Sequence, residues 1–285
     1  MTERQFIVSE VRAETDLIRS FRLKATDGGT LPAVEPGAHI KVHIPGLAEP
    51  RCYSLVALSA DTAPTEYRLG VRREENSQGG SAWMHGLSVG QTLTATGPKN
   101  DFPLHAAETG EGPVVLIAGG IGITPIASHA AALAAAGRPF ALHYSGRSRS
   151  QLALVDELAA LCGAALQVHA DDEPANRLDV GQLLAGLSRQ QHLYVCGPKG
   201  LIDSVLATAA QLGWPREKVH FELFVTGAPL AGDQPFELEL RQSGLVLQVP
   251  ADKTILEVME AAGCDPMFDC RRGECGVCQA TVLEG

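Results

Sequence analysis

The chain has 285 residues, is 45% apolar and carries a formal net charge of −10, which suits two or three domains with buried cores and argues against nucleic acid or an anionic membrane as the main partner. Its opening stretch, MTERQFIVSEVRAETD, has no uninterrupted apolar core of signal-peptide type, and the longest apolar run, in PVVLIAGGIGITPI, is too short and glycine-rich to span a bilayer, so a cytoplasmic location without membrane attachment is expected. Seven cysteines, an odd number crowded toward one end, fit a metal site in a reducing compartment better than a disulfide framework.

Residues 5 to about 104 read as antiparallel β. In GAHIKVHIP, Ile40, Val42 and Ile44 alternate with His39, Lys41 and His43, which puts the apolar set inward and His39 and His43 toward solvent. The runs RCYSLVAL, EYRLGVRRE and QTLTATGP, separated by Gly, Pro, Asn and Asp, suggest a small closed barrel. Within RCYS, Tyr53 offers a flat face for an isoalloxazine ring, Ser54 a hydroxyl for a ring nitrogen and Arg51 a guanidinium for a phosphate. Downstream, Gly79, Gly80 and Ser81 of NSQGGSAWMH could complete a phosphate pocket. Taken alone, each stretch also reads as an ordinary strand or loop.

From residue 113 to about 225 the pattern changes. PVVLIA is a continuous apolar run, as in a strand buried on both faces, and GGIGITP follows, then a helical IASHAAALAAAG stopped by Gly137. Strand-like FALHYSG, ALQVHA, HLYVCGP and VHFELF alternate with helix-like LALVDELAAL, VGQLLAGL and GLIDSVLATAAQLG, which predicts a parallel sheet with crossover helices. GGIGITP, with Gly119, Gly120, Gly122, Thr124 and Pro125, lies where backbone N–H groups can receive a phosphate. Pro125 stands where the dinucleotide fingerprint G-x-G-x-x-G has its third glycine, and a plain tight turn is the alternative. The CGP segment (Cys196, Gly197, Pro198) ends another apolar strand and favours a ligand, because ligands of open parallel sheets bind along that edge.

VTGAPLAGDQP, residues 225–235, reads as a linker. A hairpin follows, FELELRQ and LVLQVP around a Ser243-Gly244 turn, then a capping box of Thr254 and Glu257 opening ILEVMEAAG. Cys270, Cys275 and Cys278 are spaced C-x4-C-x2-C, which matches the opening of a plant-type iron–sulfur site. Zinc is the alternative, without the second cysteine pair or added histidines it usually shows. Cys52, Cys162 and Cys264 read as structural fillers, with Cys264 a weaker candidate for a fourth ligand. Arg271 and Arg272 could tune a cluster or dock a partner, or be solvated loop charges.

In this order, RCYSL, GGS, GGIGITP, HYSGRS, HLYVCGP, VHFELF and CRRGECGVC resemble the phthalate dioxygenase reductase family, especially the reductases of vanillate-type aromatic O-demethylases. The resemblance covers essentially the whole chain. It implies a multidomain protein: an antiparallel β-barrel FMN-binding domain at 1–108, an α/β parallel-sheet NAD-binding domain at 109–225, a linker at 226–235 and a β-grasp, plant-type ferredoxin domain at 236–285 that is incomplete. By the same resemblance Arg51, Tyr53 and Ser54 bind the flavin, with Gly80 and Ser81 at its phosphate, and Gly120, Thr124 and Cys196 line the nicotinamide side. Phe224 corresponds to the aromatic that shields the flavin ring, so Ser54, Cys196 and Phe224 become the expected catalytic positions, and Cys270, Cys275 and Cys278 the cluster ligands. GGS after the barrel favours FMN over FAD.

The implied path is NADH to FMN to [2Fe–2S] to a Rieske-type aromatic ring-hydroxylating or O-demethylating oxygenase. NADH is expected over NADPH, although SGRSRS carries Arg147 and Arg149, which could read a 2′-phosphate. A haem monooxygenase as acceptor and a non-catalytic redox-responsive regulator are the alternatives. One departure is that the family's fourth cysteine lies on a later segment than Gly285. The expectation is therefore that the sequence stops short of the natural C-terminus, that residues 233–285 are less stable than the rest, and that a cluster in this form is labile or absent.

Overall fold

Alternating apolar residues build the first sheet of this computed structural model, which describes residues 3–59, 61–75, 77, 79–106, 112–224, 232–267 and 278–285. Strands β1 (Glu3–Ala13), β2 (Ile18–Ala25), β3 (His39–His43), β4 (Arg51–Ser54), β5 (Glu66–Arg72) and β6 (Thr92–Lys99) pair antiparallel in the order β4-β3-β6-β1-β2-β5. Their inward set, including Phe6, Val8, Phe21, Leu23, Ile40, Val42, Leu69 and Val71, is buried. The two edges meet where Leu55 bridges Leu69 and the Val56 N–H donates to the Arg68 carbonyl at 2.8 Å, so the sheet closes into the expected barrel. Helix α1 (Gly80–Gly86) stands where the sequence reads as a loop, and it inserts Met84 into the barrel core.

Two expectations for this region are corrected. His39 is 1% exposed, not solvent-facing, although His43 is exposed. His39 and the residue it pairs with on β4, Ser54, are both buried, so the face of β3 opposite Ile40 and Val42 is covered at this end, and alternation predicts exposure only where one face meets water. Cys52 is exposed on β4 and fills no core, while Cys162 and Cys264 are half-buried.

The second sheet is wholly parallel, as expected. Strands β7 (Val114–Gly119), β8 (Phe140–Gly146), β9 (Leu166–Ala170), β10 (Leu193–Cys196) and β11 (Val219–Glu222) lie in the order β11-β10-β7-β8-β9. Every residue of β7 and β10 is buried, which is why both read as unbroken apolar runs. Helices α2 (Ile123–Ala135), α3 (Val155–Cys162), α4 (Val180–Ala185) and α5 (Lys199–Gln211) supply the crossovers. Helix α2 begins at Ile123, one turn before the predicted start, and ends as expected at Gly137. Gly137 has φ +62° and donates to the Ala134 carbonyl while Arg138 donates to that of Leu133, the paired bonds of a Schellman motif.

Residues Met1–Glu222, barrel and parallel sheet together, form one compact unit, and Leu223–Gly285 a second. In the second unit β12 (Phe236–Leu240) pairs with β13 (Leu245–Val249). Their connection is the four-residue turn 241–244 rather than the two-residue turn expected, with Gly244 at φ +66° donating to the Leu240 carbonyl at 2.8 Å. Helix α6 (Ile255–Ala261) carries the predicted capping box: the Thr254 N–H donates to Glu257 Oε2 at 2.7 Å and the Glu257 N–H to Thr254 Oγ1 at 3.2 Å.

Candidate functional site

RCYS forms strand β4, and Gly80 lies against it. A β-carbon on Gly80 would stand 2.9 Å from Arg51 Cγ and 3.3 Å from the Tyr53 hydroxyl, so glycine lets the start of α1 lie beside these side chains without displacing them. Arg51 donates to the Glu49 carbonyl at 3.1 Å and is half-buried. Tyr53 is half-buried, and burial pushes its hydroxyl up to about 12, so the phenol stays protonated. Ser54 is buried, paired with His39 on the next strand. Gly79 has φ +96°, and Ser81 Oγ donates to Ser77 Oγ at 3.0 Å and accepts from the Glu74 N–H at 3.1 Å. One wall therefore gathers a guanidinium, a flat phenol, a buried hydroxyl and a glycine-serine turn. That donor set fits a phosphate-bearing aromatic cofactor such as a flavin.

The second cluster lies at the C-terminal ends of β7 and β10. The order of the parallel sheet reverses between these two strands, and a crevice opens at such a reversal. GGIGITP and CGP meet there backbone to backbone. A β-carbon on Gly122 would fall 2.2 Å from the Cys196 carbonyl oxygen and 2.6 Å from the Gly197 nitrogen, and one on Gly119 2.7 Å from Pro198 Cδ. Gly120 has φ +52°, and its carbonyl accepts from the Tyr144 hydroxyl at 3.1 Å. Cys196 is buried and lies in register with Ala118 on one side and Glu222 on the other. Glu222 is a buried carboxylate that the sequence reading did not single out; a charged residue closing an apolar strand was the available signal.

Thr124 and Pro125 are buried in the first turn of α2. Thr124 Oγ1 donates to the Ile121 carbonyl at 3.0 Å, and its methyl stands 2.7 Å from where a β-carbon on Gly70 of β5 would be. Thr124 therefore packs the seam between barrel and helix. A turn further along, Ser128 Oγ donates to the Leu55 carbonyl at 2.7 Å and accepts from the Ala57 N–H at 2.9 Å. The strand that carries Arg51, Tyr53 and Ser54 is thereby fastened to the helix that follows the glycine loop. Ser128 was missed by the sequence reading because a lone serine inside an alanine-rich helix carries no local signal.

Arg147 is exposed and Arg149 is held by Glu173 at 2.7 Å. Phe224, in the second unit, is 37% exposed. Cys278 is exposed, whereas Cys270, Cys275, Arg271 and Arg272 lie outside the described residues. Among the described residues no helix is long and apolar enough to cross a membrane.

Residues 104–219 match the family described as dimethylamine monooxygenase subunit DmmA-like, N-terminal domain, and residues 238–285 match the 2Fe-2S iron-sulfur cluster binding domain. The chain is 38% identical over 279 residues to the heme-dependent oxidative N-demethylase beta subunit of Ectopseudomonas mendocina (strain ymp), covering 98% of this chain and 86% of that one. It is 40% identical over 286 residues to the vanillate O-demethylase oxidoreductase of Pseudomonas sp. (strain HR199 / DSM 7063), covering 99% and 88%. Among solved structures, phthalate dioxygenase reductase, described as a modular structure for electron transfer from pyridine nucleotides to [2Fe–2S], superposes with a TM-score of 0.72 at 32% identity, over 97% of this chain and 85% of that one. An intact type IV self-sufficient cytochrome P450 monooxygenase superposes with a TM-score of 0.76 at 35% identity; it spans 99% of this chain, which in turn spans 36% of that longer one. The chain belongs to the phthalate dioxygenase reductase family of oxygenase-system reductases, oxidoreductases that join a flavin- and nucleotide-binding reductase fold to an iron–sulfur domain.

Proposed function

We propose that this chain is the NADH-dependent reductase of a Rieske-type aromatic ring-hydroxylating or O-demethylating oxygenase, with FMN and a [2Fe–2S] cluster as its carriers, and that it works in the cytoplasm. The domain limits that go with this reading are 1–108 for FMN, 109–225 for the nucleotide, 226–235 for the linker and 236–285 for the cluster. The observation that carries it is the meeting of two glycine loops at the sheet reversal, Gly119 and Gly122 against Cys196 and Gly197, on a helix that Ser128 ties to the Arg51–Tyr53–Ser54 strand. A nucleotide pocket and a flavin wall share one rigid connection.

Arg51 would hold the flavin phosphate with Gly79, Gly80 and Ser81, while Tyr53 presents its ring and Ser54 its hydroxyl. Gly119, Gly120, Gly122 and Pro125 would border the nucleotide, with Thr124 in the wall behind them and Cys196 and Gly197 opposite. Phe224 would cover the flavin, and Cys270, Cys275 and Cys278 would hold iron. When bound, these groups supply what side chains lack: nicotinamide gives two electrons as a hydride, an iron–sulfur cluster takes one at a time, and flavin does both.

Anaerobic titration of the purified protein with NADH, followed by visible absorbance, tests this. Bleaching of the flavin bands is expected, with FMN released on denaturation. A flavin that stays oxidised sinks the reductase reading, FAD in the released fraction sinks the FMN assignment, and NADPH matching NADH sinks the donor preference. A haem oxygenase is the second acceptor, favoured by a relative named for heme and a structural relative that is a cytochrome P450. Reconstitution with oxygenases of each kind separates the two.

A further inference from the structure

A second cluster of reactive side chains lies at the opposite end of the parallel sheet from the glycine loops. His192 immediately precedes β10, with its carbonyl accepting from the Val115 N–H at 2.9 Å, and His220 is the second residue of the neighbouring β11. His105, after the last barrel strand, stacks on His220 with ring centroids 4.2 Å apart. One nitrogen from each of the three imidazoles lies within 4.8 Å of the other two. His105 is exposed, His220 half-buried and His192 buried, so the group opens to solvent on one side only.

Hydrogen bonding fixes where the lone pairs are. Lys218 Nζ lies 3.0 Å from His192 Nε2, and an ammonium only donates, so His192 Nε2 accepts. Its proton is then on Nδ1, which lies 2.7 Å from His220 Nε2 and donates to it. His192 and His220 are therefore both neutral, facing each other across a single shared proton. His105 is oriented by the Tyr194 hydroxyl, 3.1 Å from its Nδ1.

We propose that His105, His192 and His220 form a binding site for a late first-row divalent cation, with Zn2+ the best match. Imidazole nitrogens favour such ions over Mg2+ or Ca2+, which take oxygen ligands. Zn–N bonds of about 2.0–2.1 Å in a tetrahedron put ligand nitrogens roughly 3.3 Å apart. The His192–His220 pair must therefore open slightly and His105 move inward, both side-chain adjustments. Three histidines leave a fourth position for water, on the exposed His105 side.

Binding conserves protons within the site. The cation takes the place of the His192 Nδ1 proton, which moves to Nε2 of the same ring. Lys218 then loses His192 as an acceptor and must move off that nitrogen. Lys218 is accordingly a built-in competitor, both by occupying a lone pair and by its charge.

The test is calorimetric titration of the full-length, flavin-loaded protein with Zn2+, repeated with Co2+ by absorbance. Because the thiols of the cysteine loop would also take soft cations, the informative quantity is the increment removed by substitution. His192→Gln with His220→Gln is expected to remove one Zn2+ per chain and the Co2+ bands that lack sulfur charge transfer. Lys218→Met is expected to tighten that same increment several-fold. Equal uptake by wild type and the double variant overturns the proposal, as does a Lys218→Met protein whose affinity is unchanged or weaker. That last readout stands even if the double variant does not fold.

Discussion

Gly122 approaches Cys196 so closely that a β-carbon on the glycine would lie 2.2 Å from the cysteine's carbonyl oxygen. The obstructing atoms are backbone and cannot rotate away. Gly122→Ala should therefore push the two loops apart and destabilise the chain by about 2 kcal/mol or more, at the upper end of overpacking costs. Thermal melting of wild type and variant checks the size. Weaker nucleotide binding should accompany it.

Gly80→Ala should behave differently, although its nearest neighbour is also inside 3 Å. The atom in the way is Arg51 Cγ, part of a flexible side chain. The fold should melt within a few degrees of wild type while flavin affinity falls, read as the dissociation constant from flavin fluorescence. A variant that melts early with flavin affinity intact would show that Gly80 serves packing alone.

Ser128→Ala leaves the Leu55 carbonyl and the Ala57 N–H without the hydroxyl they share. An unsatisfied, largely buried pair of this kind costs about 1–3 kcal/mol. Denaturant unfolding should show that loss at an unchanged m-value, because both states expose the same surface. Ser128→Thr, which keeps the hydroxyl, should recover most of it.

Arg68, with 9% of its side chain exposed, bridges Glu14 of the barrel at 2.9 Å and Glu157 of α3 at 2.6 Å. Burial alone would pull the guanidinium pKa down, but the two carboxylates more than offset it, and the hydrogen bond from Arg68 holds Glu157 below the ordinary carboxylate range. Arg68→Ala strands Glu14, 4% exposed, with the Ser20 hydroxyl and a distant Arg12. A loss of about 3–5 kcal/mol is expected. Glu157→Gln, at a third-exposed position, should cost much less in the same denaturation experiment.

His129 supplies the pH dependence. It is fully buried, its Nε2 donates to the Phe102 carbonyl at 2.9 Å, and the rings of Phe102 and Tyr194 pack on it. Burial pushes its pKa down to about 4 from an ordinary 6.5. Between those values the unfolded chain binds the proton and the folded chain does not, so stability is full above pH 6.5 and falls with acidification toward pH 4. The slope from this one group approaches about 1.4 kcal/mol per pH unit. His129→Gln, which can still donate to Phe102, should lower the measured slope by about one proton.

What the sequence revealed was local. The apolar runs of β7 and β10 announced a doubly covered parallel sheet because burial on both faces leaves no room for polar residues. Gly137 and the Thr254–Glu257 pair announced their helix ends because capping is settled within a few residues. The glycines of GGIGITP were legible as special, but the reason is a neighbour 74 positions away, Cys196, which no spacing rule could pair with Gly122. Ser128 with Leu55, and Arg68 with Glu14 and Glu157, were hidden for the same reason: each partner is ordinary by itself. His39 misled because alternation assumes that one face of the strand meets water, and at this end of β3 both faces are covered.

The boundary between the two compact units falls between Glu222 and Leu223. On the proposed reading almost everything that deals in electron pairs lies before that seam, and the thiolates that deal in single electrons lie after it. Donor preference and acceptor choice are then inherited on separable pieces. Exchanging the portion beyond the seam should redirect the output of the protein while leaving its fuel unchanged.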